Sequence, residues 1–162
     1  MNRQSTLRQF TGMQKRRQDD GPSQQDAAEL WQAYLDSIIV DARDGTVYAG
    51  PDAVALPLPP PCYVITAANP REGKLSDAEN DRRNQTLEKV LQLRFESVVP
   101  VIGRSRSGHW QEVSFLVSTP DRTEILQLAE RHHQRAVFEL DADTKRVVAV
   151  DGTIQGTMDR TQ

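Results

Sequence analysis

A chain of 162 residues with 37% hydrophobic and 27% charged side chains matches one ordinary globular domain, long enough to bury its own core. The net charge of −3 and an aromatic content of 6% argue against a globally basic nucleic-acid binder and against a stacking surface for single strands, so direct nucleic-acid binding would need a local basic patch. Cys62 is the sole cysteine, which excludes an intrachain disulfide and points to a reducing compartment. No apolar run approaches the roughly 20 residues that span a bilayer, and the start of the chain lacks the apolar segment of a signal peptide, so a soluble, cytoplasmic protein is expected.

Residues 1–25 are rich in Gln, Arg, Asp and Ser, too polar to offset the entropy of ordering, and read as a flexible tail. The domain is expected to span 26–152. It opens with a helix over about 25–35, where Ala27, Leu30, Trp31 and Tyr34 recur at helical spacing. A β-branched strand over 37–42 follows, with Asp44-Gly45 as a turn and Thr46-Val47-Tyr48 as a short return strand. Four prolines within 56–61 make that segment an extended connector.

From Cys62 the pattern is regular. Residues 62–66 read as a buried strand, and Ser76 with Glu79 three positions on is a capping box for a helix whose stripe is Leu87, Val90 and Leu91. A strand over 97–103 contains Pro100, which hints at an edge or a bulge. Ser107-Gly108 turns the chain into a strand over 112–118, and Thr119-Pro120 starts a helix that runs to about His132 with Ile125, Leu126, Leu128 and Ala129 inward. Two more strands fall at 134–140 and 146–150, and residues 153–162 are expected to fray. The order strand, helix, strand, strand, helix, strand predicts an α+β fold: a two-layer sandwich with a mostly antiparallel sheet, helices on one face and a split βαβ-like core.

Polar clusters interrupt the apolar runs at Ile65-Thr66-Ala67-Ala68-Asn69-Pro70, Leu75-Ser76-Asp77-Ala78-Glu79-Asn80, Gly103-Arg104-Ser105, Trp110-Gln111-Glu112-Val113-Ser114-Phe115 and Gln134-Arg135-Ala136-Val137-Phe138-Glu139. In these segments the chain resembles a family of uncharacterised, mainly bacterial domains of unknown function over roughly residues 26–150. The shared pattern is a Thr-Ala-x-Asn-Pro strand end, a Ser-x-x-Glu-Asn helix start, a Trp-x-Glu-x-Ser-Phe strand and a Gly-Gln-x-Ala-x-Phe strand. His133 departs from it, standing where the pattern has Gly before Gln134. The resemblance implies domain limits and pocket residues and implies no reaction.

Strand ends carrying such side chains face a ligand when folding brings them together, because buried polar groups need partners. The candidate ligand-binding set is Thr66, Asn69, Asn80, Arg104, Ser105, Trp110, Glu112 and Gln134. Guanidinium groups, hydroxyls and amides in Gly103-Arg104-Ser105-Arg106-Ser107-Gly108 suit a phosphate, so a small anionic, phosphate-bearing or nucleotide-like ligand is expected; a solvated hairpin tip is the plain alternative. Trp110 could stack on a base, and Glu112 could act as a general base or pair with Arg104. Gln134 and Glu139 have odd separation and so point to opposite sheet faces. No cofactor is expected: there is no Walker A spacing, no dinucleotide fingerprint and no Gly-x-Ser-x-Gly elbow, and His109, His132 and His133 lack metal-ligand spacing. Catalytic residues and enzyme activity stay unassigned.

In the tail, Gln4, Leu7 and Phe10 have the spacing of one helical turn that anchors in a groove. The segment looks like the box that binds the ring-shaped DNA sliding clamp PCNA, with Lys15, Arg16 and Arg17 following, although Thr11 stands where a second aromatic is usual. Two function classes therefore remain open. One is a pocket for a phosphate-bearing or nucleotide-like ligand; the other is a noncatalytic interaction or DNA-replication and repair accessory module docking to a clamp.

Overall fold

A computed structural model describes residues 24–71 and 73–162. The elements run α1 (Gln24–Asp36), β1 (Ile38–Asp41), β2 (Val47–Ala49), β3 (Cys62–Ile65), α2 (Asp77–Arg94), β4 (Val99–Arg104), β5 (Gln111–Ser118), α3 (Arg122–Arg131), β6 (Ala136–Leu140), β7 (Thr144–Ala149) and β8 (Ile154–Asp159). All eight strands join one curled sheet in the order β2-β1-β4-β5-β3-β6-β7-β8, and every neighbouring pair is antiparallel. The four central strands with α2 and α3 are the split βαβ arrangement, in which α2 crosses the position that β5 later fills and α3 crosses over β3. The hairpins β1-β2 and β7-β8 widen this core on its two sides.

Period-2 alternation divides the sheet's side chains between two faces. Tyr63, Ile65, Phe115, Val117, Val137 and Val148 pack on Leu87 and Leu91 of α2 and on Ile125, Leu128 and Ala129 of α3. The opposite face carries Cys62, Val64, Val101, Leu116, Phe138 and Val147, and there α1 lays Trp31, Tyr34 and Leu35. So α2 and α3 share one face as the pattern predicts, while α1 takes the other. The approach of α1 depends on Gly156 in β8, where a Cβ would stand 3.0 Å from Leu35 Cδ2. Its C-terminal end is fixed by Lys145, which is buried, donates to the carbonyl oxygens of Leu35 and Ser37, and lies 5.3 Å from the centre of the Phe138 ring.

Local chemistry explains the element ends. Ser76 caps α2 by accepting from Glu79 N at 3.3 Å. Pro100 lies inside the sheet rather than at an edge: its carbonyl accepts from Ala42 N just past the end of β1, so its missing N–H faces the place where the neighbouring strand has stopped. The expected fraying of residues 153–162 is not found. Strand β8 pairs with β7 from Thr144↔Asp159 to Val148↔Ile154, and Arg160 is buried with donations to carbonyls of Tyr48, Val54, Asp141 and Ala142. The Thr, Gln and Gly content hid this because the pairing energy and the anchoring carbonyls come from distant segments. The tail peptide with Gln4, Leu7 and Phe10 lies outside the described residues.

His133 follows the C-cap of α3 at φ 57°, in the left-handed region, with its N–H on Glu130 O and that of Gln134 on Ala129 O. This is the helix-stop position that favours glycine, which accounts for the residue expected there without any ligand contact. Replacing His133 by Gly should therefore raise the unfolding free energy by about 1 kcal/mol, read as a higher urea midpoint with an unchanged slope.

Candidate functional site

The segment leaving β3 cannot pair with a strand, yet Ala67 and Ala68 are buried, so its backbone groups need other partners. Side chains supply them. Asn84 of α2 accepts from Ala67 N at 2.9 Å and donates to Val113 O of β5 at 3.1 Å. Arg83 donates to Ala67 O at 2.7 Å and to His132 O at 3.0 Å, and Gln134 donates to Ala68 O at 3.0 Å and to His132 O at 3.2 Å. Thr66 Oγ1 donates to Val113 O at 2.8 Å and accepts from Ala68 N at 3.1 Å.

The turn ends at Asn69, at φ 43°, a conformation asparagine tolerates better than most residues. Its N–H donates to Asn80 Oδ1 at 2.9 Å, while its own Oδ1 accepts from Leu75 N at 3.0 Å and Asn80 Nδ2 at 2.9 Å. With that oxygen fixed, Asn69 Nδ2 is aimed at Glu112 Oε2, 3.0 Å away.

Glu112 stands opposite Gly103 in the β4-β5 register, on the face that carries α1. Two cavities meet at this carboxylate. The larger, about 500 Å³, is lined by Asn69, Lys74, Leu75, Asn80, Trp110 and Glu112 among others. The second, about 310 Å³, is a groove between α1 and the sheet lined by Leu30, Ala33, Tyr34, Asn69, Ser105, Trp110, Glu112 and Gln134. Its floor continues into a small recess beside Thr66, Gly103 and Ser114. Burial pushes the Glu112 pKa up to about 7, against the smaller opposing effect of the Asn69 hydrogen bond. Burial, then the nearby Glu112 charge, also raises the pKa of the Tyr34 hydroxyl.

Of the eight residues predicted from sequence, Thr66, Asn69, Asn80, Ser105, Trp110, Glu112 and Gln134 line these cavities. Arg104 does not. It is exposed, pairs with Gln111 in register, and belongs to the sheet face opposite Gly103 and Glu112, so it forms no ion pair with Glu112. Arg106 in the same hairpin donates to the carbonyls of Asp36 and Gln162, tying the hairpin tip to the end of α1. Ser105 receives the Trp110 N–H and lies 3.1 Å from Ser107 Oγ. Gln134 and Glu139 fall on opposite faces as their spacing predicts: Glu139 sits under α3, bound to Tyr63, Arg122 and Arg146. Sequence reasoning missed Tyr34, read only as part of an apolar stripe, and Asn84, an amide on the inward face of α2.

Among the described residues, no group of three or more His, Cys, Asp or Glu side chains could hold a metal ion, and no helix is long and apolar enough to cross a membrane. Fold and site together define an α+β domain with a split βαβ core and a carboxylate-floored groove. The model of a family described as a protein of unknown function, DUF3293, matches residues 65–137, and the chain carries a domain of that family. No curated protein and no solved structure matches. The matched stretch is narrower than the 26–150 resemblance, but it runs from the end of β3 into β6 and so contains all eight predicted site residues; α1 with Tyr34 lies outside it.

Removing the Asn84 side chain leaves Ala67 N and one bond to Val113 O without a partner. Asn84→Ala should cost about 1–3 kcal/mol in chemical denaturation, and faster amide exchange should be seen at Ala67 while the core of α3 is unaffected.

Proposed function

We propose that the domain binds a small nucleotide-like molecule in the groove between α1 and the sheet, gripping it by its nitrogenous ring rather than by phosphate. The supporting observation is Glu112, a half-buried carboxylate whose one hydrogen-bond partner among the described residues is the neutral Asn69 amide. A phosphate would need cations, yet no Lys or Arg is among the described residues lining the groove, and Lys74 alone is among those lining the larger cavity. Trp110, 40% exposed, and Tyr34 offer flat apolar surface for a ring. A volume near 310 Å³ suits a nucleoside-sized ligand rather than a dinucleotide. Thermal-shift titration with nucleosides and their mono- and triphosphates tests this reading. Shifts by nucleosides that phosphorylation fails to strengthen support it; binding by inorganic phosphate or triphosphates alone defeats it.

The Glu112 pKa fixes a second outcome. Raised from 4.5 to about 7, the carboxyl holds its proton in the folded state over a range where the unfolded chain has released it. Its contribution therefore favours folding at low pH and is lost as pH rises from 4.5 to about 7. Relative to the parent, Glu112→Gln should be equally stable near pH 4 and more stable at pH 8 by about 1–3 kcal/mol, while binding the ligand less well. Melting curves of both proteins across that range give the difference directly.

The tail peptide supports a separate proposal, recruitment to a sliding clamp through Gln4, Leu7 and Phe10, on its residue spacing. Changing Leu7 and Phe10 together to Ala should abolish capture by immobilised clamp; capture that persists removes this reading.

A further inference from the structure

We infer that the groove selects ligands carrying two adjacent N–H donors in one plane, the edge shared by guanine and by a guanidinium group. This inference rests on the proposal above and names the chemistry of the same groove.

Several polar side chains of the groove and its recess have engaged their donors, while Tyr34 and Trp110 keep an O–H and an indole N–H that bond to no described residue. Both Gln134 Nε2 hydrogens go to carbonyls, one to Ala68 and one to His132, so toward a ligand this amide offers its oxygen. Thr66 has donated its hydroxyl hydrogen to Val113 O, and Ser114 Oγ donates to Glu112 O at 3.5 Å. Asn69 has directed one amide hydrogen at Glu112. At Glu112 what remains open is acceptor capacity. Glu112 Oε2 takes a single hydrogen bond, and Oε1 takes none among the described residues. A carboxylate can accept about four hydrogen bonds. Its two oxygens match a pair of parallel N–H donors, and the bidentate geometry is lost when either donor is missing.

The surroundings favour the same partner. Asn69 fixes one carboxylate oxygen, and Asn69 is itself held by Asn80 and Leu75 N, so the acceptor pair is held in place before a ligand arrives. Tyr34 and Trp110 add aromatic faces on which a flat, electron-poor donor group can lie. No cation among the described groove-lining residues competes for the carboxylate. Partial protonation near neutrality adds a sign: a ligand that donates twice needs the ionised carboxylate, so its affinity should rise between pH 6 and 8.

Isothermal titration of the full chain at pH 8 with guanosine, inosine, adenosine, agmatine and butylamine tests the inference. Guanosine should bind about tenfold or more tightly than inosine, which lacks the 2-amino donor, and than adenosine, or agmatine should exceed butylamine by a similar factor. The first result identifies a nucleobase as the source of the donor pair and the second a guanidine. Either preference should vanish in Glu112→Gln, with folding of the variant checked by its melting curve. If adenosine and inosine equal guanosine, and butylamine equals agmatine, the donor-pair inference falls while the nitrogenous-ligand reading stands. If none of the five binds, both fall.

Discussion

Neutral amides that satisfy the backbone between β3 and α2 are the constraint on which the rest of the structure depends. Ala67 and Ala68 are buried where no strand pairs with them, and a buried peptide group left without a partner costs about as much as a lost hydrogen bond. Asn84, Asn80 and Gln134, with Arg83, supply those partners from α2 and from the start of β6. The same bonds fix the height of α2 over β5 and the position of the chain entering β6. They also set the electrostatics. Had the partner reaching Glu112 been a guanidinium, its carboxyl would ionise at low pH; an amide leaves burial dominant.

Other buried charges in the molecule show the contrast. Glu139 is almost fully buried, but Arg122 grips both its oxygens and Tyr63 and Arg146 add further bonds, so its pKa falls despite burial. Asp41 is held ionised mainly by Arg43, with Tyr48 assisting. Lys145 and Arg160 end on backbone carbonyls. These groups tie elements together: Glu139 joins β6 to α3 and β7, and Lys145 joins β7 to α1. Glu112 makes a single tie, to Asn69 in the segment after β3, and otherwise faces open volume.

Much of the architecture was legible because its signals are local. Ser76 with Glu79, Asp44-Gly45 and the alternation in 112–118 each act within a few residues, and the resulting element order admits few topologies. The convergence of the polar strand ends at Thr66, Asn69, Glu112 and Gln134 was legible for the related reason that such residues are costly to bury without partners. Most of their bonds, however, go to the protein itself, and sequence does not divide loop clamping from ligand contact. What failed to show depends on distant chain: β8 exists because β7 and the carbonyls around Arg160 receive it, α1 finds its face through Gly156, and the side of the sheet on which Arg104 emerges follows from register, which one residue of slip would reverse.

The strands added on both sides of β4 and β5 cover the margins of the sheet's centre. Cutting the chain to the family-matched stretch would remove β1 from beside β4 and all of β3 except Ile65 from beside β5. Two rows of unsatisfied peptide groups, flanked by Val, Ile and Leu, would then face water. Such margins template pairing with other molecules. The flanking strands are therefore a guard against edge-to-edge aggregation, and the family-matched segment is the wrong unit to isolate.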